Sequence, residues 1–435
     1  MFATCGRSYL LLCFLLIASF CHAGDWSADQ QAGAAALNEG RYKDAEKFFL
    51  RARADTANLQ PTDARIPRSM QDLADVYRIE GRSGDALPLY EQAIAIHERL
   101  FTRNSSEVAT GLLGLGELYK GVGDTAKAEP LLFEACAIRQ KVLKPDDIGI
   151  AEAKNALGEL YTNEGRYNDA EPLLRDALNA RTAKGEDNAN LAHSYLSLGT
   201  LYKRMQKPAQ AEESFRKAMG IYGKTVGGNH PDYATAMEEL ASSYSARREY
   251  QQSEPLLARV LAIREEVLGP DHRDVAVVLD KLALNHLALG RAAESERETR
   301  RALAIWKQLL GEDNPYLAIS SNNLGETLQT EKKYDEAAAM IERAVVLDEK
   351  GLGPEDQDVG TDLNNLGLVY MALKRYPEAE KTFERAVAIR RKALGNDSPV
   401  LASTLAAYAG ALLATGHNAK ANVAHAEAEA ILRNK

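Results

Sequence analysis

The chain of 435 residues has a formal net charge of −9, with both signs interspersed and no basic block interleaved with aromatics, which argues against nucleic acid as a partner. It holds four cysteines, and three of them, Cys5, Cys13 and Cys21, lie in the first 23 residues. Loss of that segment would leave Cys136 alone, which excludes an intrachain disulfide, and no later apolar run is long enough to span a bilayer.

Residues 1–23 differ from the rest. Arg7 precedes an apolar run from Leu10 to Phe20, and Cys21-His22-Ala23 ends on a small residue. A short basic region, an apolar core of this length and a small-x-small end predict a cleaved secretory signal. Phe20 is bulky where a lipid-anchoring signal needs a small residue, so the expected product is an exported chain, periplasmic or secreted, without membrane insertion after cleavage. Removal of Arg7 takes the charge from −9 to −10.

From residue 24 onward one pattern repeats. Tyr77, Tyr119, Tyr161, Tyr202, Tyr244, His286, Leu328, Tyr370 and Leu412 follow one another in steps of 42, 42, 41 and then 42 throughout. A period in this range marks a solenoid, whose units bury their apolar faces only by stacking on neighbours. Three columns admit almost only small residues: Gly33, Ala74, Gly116 and onward to Ala409; Ala45, Ala86, Ala128 to Ala421; and Ala52, Ala93, Ala135 to Ala428. Large residues such as Leu115 and Leu157 on the first helix, and Phe49, Tyr90, Phe215 and Phe383 on the second, flank them. Knobs alternating with small-residue holes predict an antiparallel helix pair. Gly40, Gly81, Gly123, Gly165, Gly290 and Gly416 mark the turn within a pair, where a left-handed residue is needed. Gly-x-Asp/Asn-x-Pro segments such as Gly395-Asn396-Asp397-Ser398-Pro399 mark the loop between pairs.

The expected fold is therefore all-α, an α-solenoid of about ten antiparallel helix pairs forming one domain over 24–435. Its units fall near 27–53, 68–101, 110–143, 151–183, 192–226, 234–268, 275–310, 317–352, 359–394 and 401–433. Residues 54–67, with Pro61 and Pro67, interrupt the first spacing and predict a loosely packed first unit. In the last unit His425 takes a core slot.

The run Leu115-Gly116, Tyr119, Ala128, Leu132 and Ala135 resembles the tetratricopeptide repeat. The 42-residue period, the linker Leu310-Gly311-Glu312-Asp313-Asn314-Pro315 and the helix start Leu363-Asn364-Asn365-Leu366-Gly367 are similar to the kinesin-light-chain subtype. The resemblance implies a right-handed superhelix with an inner groove that binds protein or extended peptide. No sustained heptad run is present, so no motor partner is implied.

Catalytic and cofactor motifs are lookalikes only. Ser214-Phe215-Arg216-Lys217 fits S-x-x-K, but Phe215 belongs to the core pattern. The glycines at 111, 114 and 116 follow no strand and precede no Gly-Lys-Ser/Thr. Histidines are scattered without metal-ligand spacing, so no metal, no cofactor and no enzyme activity are expected.

The informative polar residues lie on first helices, three and two before, and one and four after, the first small column. They read Asn322, Asn323, Glu326 and Gln329 in the eighth unit and Asn364, Asn365, Leu368 and Met371 in the ninth. Asn costs some tenths of a kcal/mol relative to Ala inside a helix, so its recurrence at one register asks for a reason. Two readings stay open: the amides pair with the backbone of an extended peptide, or they bond to a neighbouring helix and orient the stack. The resemblance implies that Asn323 and Asn365 help hold bound peptide. The same position holds Asp72, Gly114, Ala156, Ser197, Glu239, Lys281 and Ala407 elsewhere, so such a site would be local. The groove candidates are Asn322, Asn323, Glu326, Asn364 and Asn365, with Lys203, Arg204, Glu238 and Glu239 as charge-selecting residues. The function expected is a non-catalytic binding scaffold. The alternative is a self-assembling structural repeat protein of the cell envelope, a homo-oligomer with an empty groove.

Overall fold

The computed structural model describes residues 25–185 and 188–433. The expected signal segment, 1–23, lies outside the described residues. Among the described residues the chain is all-α, with twenty helices in ten consecutive pairs and no strand. Repeats 1 to 5 comprise α1 (Trp26–Asn38) and α2 (Tyr42–Asp55), α3 (Arg65–Ile79) and α4 (Ser83–Leu100), α5 (Ser106–Gly121) and α6 (Thr125–Val142), α7 (Ile148–Asn163) and α8 (Tyr167–Ala183), α9 (Ala189–Arg204) and α10 (Pro208–Thr225). Repeats 6 to 10 comprise α11 (Pro231–Ala246) and α12 (Tyr250–Leu268), α13 (Arg273–Ala288) and α14 (Ala292–Leu310), α15 (Leu317–Thr330) and α16 (Tyr334–Gly351), α17 (Gln357–Ala372) and α18 (Tyr376–Leu394), α19 (Pro399–Ala414) and α20 (Asn418–Arg433). The chain divides into two compact halves, 1–239 and 240–435, with the division inside α11. The 42-residue spacing runs through that division without interruption, although Ser253 and Val260 replace alanine in the repeat that holds it.

The small columns do the packing predicted for them. Every member of the two second-helix columns is at most 3% exposed, from Ala45 and Ala52 to Ala421 and Ala428. The first column lets the large residue of the partner helix approach: a methyl group added at Gly199 would come within 2.5 Å of the Phe215 ring, and one at Gly367 within 2.7 Å of Phe383. Repeat 10 departs from the expectation. His425 is exposed beside Glu429 and fills no core slot, while Ala421, Ala424, Ala428 and Ile431 face α19. Imidazole finds hydration and a carboxylate at the surface that the alanine-rich interface does not offer.

The turn within each pair needs one left-handed residue. Glycine supplies it six times, at φ values such as 72° for Gly40 and 85° for Gly416. In the other four repeats Gln206, Arg248, Lys332 and Lys374 adopt φ of 56 to 63° in the same place. Side chains there cost about 1–2 kcal/mol relative to a relaxed backbone, a strain that the packed helices on either side hold in place.

Repeat 1 is anchored rather than loose. Trp26 Nε1 donates to Ser69 Oγ at 2.7 Å, Arg51 pairs with Asp29 at 2.8 Å, and Pro67 lies buried in the first turn of α3 instead of in a linker. Within the N-terminal half the turn of repeat 1 also meets the start of repeat 6. His230 Nε2 donates to the Asn38 carbonyl at 3.1 Å, while its Nδ1 accepts from the Asp232 amide at 3.1 Å.

Candidate functional site

The odd-numbered helices are the first helices of the pairs, and neighbouring ones touch within each half. Their polar positions fall in line across successive repeats. In the N-terminal half these positions form a ladder of charges that satisfy one another. Arg78 lies 3.7 Å from Asp75 and donates to Tyr90 Oη at 3.3 Å. Lys120 Nζ bridges Glu117 at 2.8 Å and Glu159 at 2.5 Å, joining repeats 3 and 4. Glu159 Oε1 then accepts from Asn155 at 2.7 Å and Ser197 at 2.6 Å, with His193 Nε2 at 3.2 Å. Lys203 pairs with Glu239. Burial opposes the charge on Glu159, but Lys120, His193 and the Ser197 hydroxyl outweigh it and hold the carboxyl below its usual range. A hollow of about 170 Å³ opens beside this set, with Lys120, Glu159 and His193 in its wall.

The C-terminal half is built differently at the same register. Glu326 Oε1 accepts from Asn322 Nδ2 at 3.1 Å and from Asn365 Nδ2 at 2.6 Å, and Asn365 also donates to Asn322 Oδ1 at 3.1 Å. Asn364 Nδ2 lies 3.4 Å from Asn365 Oδ1. Four of the five amide-site candidates, Asn322, Glu326, Asn364 and Asn365, therefore meet in one cluster between α15 and α17. Burial raises the Glu326 carboxyl against those amide bonds. Asn323 does not join them. It is 6% exposed, on the side of α15 facing Asp280 of α13. Asp280 Oδ2 accepts from Ser320 at 2.6 Å, and burial pushes this carboxyl up to about 6.

Beside Glu326, α11, α12, α13 and α15 leave a hollow of about 520 Å³. Leu257, Leu284 and Leu287 give it apolar walls, and Ser242, Ser245 and Asn285 supply its polar atoms. It exists because side chains are small or polar where other repeats are bulky. Asn285, for example, stands where Leu118, Leu160 and Leu201 fill the core of repeats 3 to 5. Ser245 donates to Asn285 Oδ1 at 2.9 Å, and Asn285 Nδ2 is buried without a hydrogen-bond partner.

The charge-selecting candidates are engaged or withdrawn. Lys203 and Glu239 pair with each other, Glu238 is 7% exposed, and only Arg204 stands well out in solvent, 3.4 Å from Asn163 Oδ1. Lys120, His193, Leu284, Leu287 and Asn285 were not singled out from the sequence. A column-by-column reading one and four residues past every small residue would have raised Lys120, Leu284 and Leu287. Cys136 is buried, and burial pushes its thiol up, away from reactivity. Among the described residues no group of three or more His, Cys, Asp or Glu could hold a metal ion, and no helix is long and apolar enough to cross a membrane.

The tetratricopeptide repeat family matches at residues 27–99, 65–141, 107–183, 149–224, 190–266, 232–297, 274–350 and 360–434. The chain belongs to the tetratricopeptide repeat family. Its repeats recur about every 42 residues. A structure of putative kinesin light chain TPR-like repeats from Podosopora anserina is 24% identical over 48% of this chain and 98% of that one, at a TM-score of 0.37. The quorum sensor NprR from B. thuringiensis in its apo form aligns at a TM-score of 0.58 and 12% identity, over 84% of this chain and 98% of that one. A Rap protein complexed with competence and sporulation factor aligns at 0.58 and 11%, over 87% and 99%. At such identities the likeness is one of fold. No curated protein matches the chain.

Proposed function

We propose that this tetratricopeptide repeat protein is a non-catalytic scaffold that binds an extended segment of a partner protein along the faces of its first helices, and that it acts after export. The observation that carries the reading is the hollow of about 520 Å³ in the C-terminal half, apolar in its walls and edged by the Glu326 carboxylate. Apolar concavity with a few placed polar groups is the usual chemistry of a binding site. The Rap protein, which is similar in fold, is complexed with competence and sporulation factor, and that supports a binding role for these repeats.

The test is affinity capture with the mature chain as bait beside Leu284→Glu, which places a charge on a residue already 42% exposed in that hollow. A partner held by the native bait and lost by the folded variant is expected, and equal recovery by both would remove the reading. Export is tested by the mass of the chain recovered from the producing cells. A mature start at Gly24 is expected, and a chain retaining Met1 in the cytoplasm would remove it.

Self-assembly is the second reading. Leu413, Val423 and Leu432 on α19 and α20 are 56 to 68% exposed, apolar side chains in the last repeat that contact with a partner copy would cover. Sedimentation velocity over a hundredfold concentration range, roughly that needed to reveal a weak dimer, would show an assembling species, and an unchanged monomer would discard this reading.

A further inference from the structure

Acidic side chains on the N-terminal ladder sit against cations: Asp75 has Arg78, Glu117 and Glu159 share Lys120, and Glu239 has Lys203. Glu326 has none. Both of its hydrogen bonds come from neutral amides and both fall on Oε1, which leaves Oε2 without a hydrogen bond among the described residues, and the Glu326 side chain borders the hollow. Lys281 lines the same hollow. The register explains the difference. The lysine that serves Glu159 stands four past the small residue of the preceding repeat, and the residue there before Glu326 is Leu287. Where the N-terminal half places an ammonium, the C-terminal half places an apolar wall. A carboxylate withdrawn from water beside such a wall favours a cation brought from outside.

Resting on the groove reading above, we propose that this site selects an extended segment carrying a Lys or Arg for Glu326 Oε2 next to a bulky aliphatic or aromatic residue for the hollow. Charge complementarity identifies the base, since the carboxylate has two amide donors but no cation among the described residues. The walls of Leu257, Leu284 and Leu287 identify the apolar neighbour. In an extended chain, side chains two residues apart face the same way and lie about 7 Å from each other. The predicted signature is therefore a basic residue two positions from Leu, Ile, Met or Phe. Asn285, whose Nδ2 is buried at the hollow without a partner, offers the segment a further donor once a small shift uncovers it.

The experiment is a positional-scanning library of extended dodecapeptides panned on the mature chain, followed by titration of the selected peptide and its Lys→Gln analogue by fluorescence anisotropy. Glu326→Gln keeps the shape of the side chain, and circular dichroism confirms that the helices remain. The expected result is selection of the signature, a loss of about tenfold or more on Glu326→Gln, and no further loss when the analogue is bound to that variant. Selection of acidic or uncharged sequences, or an undiminished affinity in Glu326→Gln, overturns the proposal. If those peptides still lose binding in Leu284→Glu, the groove reading survives without it. A library that yields no binder removes both.

Discussion

Glu159 and Glu326 occupy the same place in repeats 4 and 8, one residue past Gly158 and Gly325, yet they are opposite in character. Glu159 sits over Lys120 and its carboxyl is held down, whereas Glu326 is held by two amides and its carboxyl is pushed up. A second pair repeats the lesson. Asn155 in repeat 4 accepts from Ser194 of the next repeat at 3.2 Å, and Asp280 in repeat 7 accepts from Ser320 of the next repeat at 2.6 Å. The neutral amide in the N-terminal half is answered by a buried acid in the C-terminal half. One repeat pattern thus supports first helices whose charges are matched in one half and a carboxylate without a cation in the other. A face that has already met its own charges gains less from a charged ligand, which is why the proposed binding site is assigned to the half whose carboxylate lacks a cation.

The comparison breaks hardest at Lys120. Lys120→Met leaves Glu117 and Glu159 without their cation in a site where the lysine is 12% and Glu159 21% exposed. The expected loss is about 3–5 kcal/mol in urea unfolding followed by circular dichroism at pH 7. The pH sense is fixed by the depressed carboxyl: the stability from Glu159 is present above its unfolded value near 4.5 and is lost as pH falls through its lower folded value. Lys120→Met should remove that acid-side loss.

Asp280→Asn makes repeat 7 resemble repeat 4. The Asp280 carboxyl rises from 3.8 to about 6 on folding, so the folded state holds the proton more tightly and stability increases as pH falls from 6 toward 4. Above pH 6 the ionised form costs up to about 3 kcal/mol. The variant should regain about 2–3 kcal/mol at pH 7 and nothing near pH 4, read as the difference between urea midpoints at the two pH values.

Leu287→Lys moves the N-terminal arrangement into the C-terminal half by placing an ammonium where Lys120 stands relative to Glu159. Carbon-detected titration should show the Glu326 carboxyl moving from above to below its usual range, and the selected basic peptide should lose its hold. Stability should change by no more than about 1 kcal/mol, because a new pair at a half-open site roughly offsets the lost apolar wall. The smallest effect is expected at the turns. Lys374→Gly relieves a φ of 62° and should stabilise by about 1 kcal/mol or less, visible as a small rise in melting temperature.

Sequence alone determined the ten repeats, the pairing of helices and the burial of all three small columns, because a 42-residue period with small residues at fixed offsets has only one packing solution when each unit must borrow its neighbour's apolar face. It also picked out Asn322, Glu326, Asn364 and Asn365 as residues of one region, since a shared register on adjacent first helices implies proximity. It could not separate Asn323 from them. A single step along a helix turns a side chain by about 100°, and whether that step leads to the groove or to the neighbouring helix depends on how the pairs are stacked. Only the tertiary structure decided that Lys120 serves the glutamate of the next repeat, that Leu287 stands in the corresponding place before Glu326, that His230 meets Asn38, and that small polar side chains in repeats 6 and 7 leave a hollow. Each of these is a contact between repeats, and a repeat sequence specifies what each unit offers while the stacking decides which offers meet.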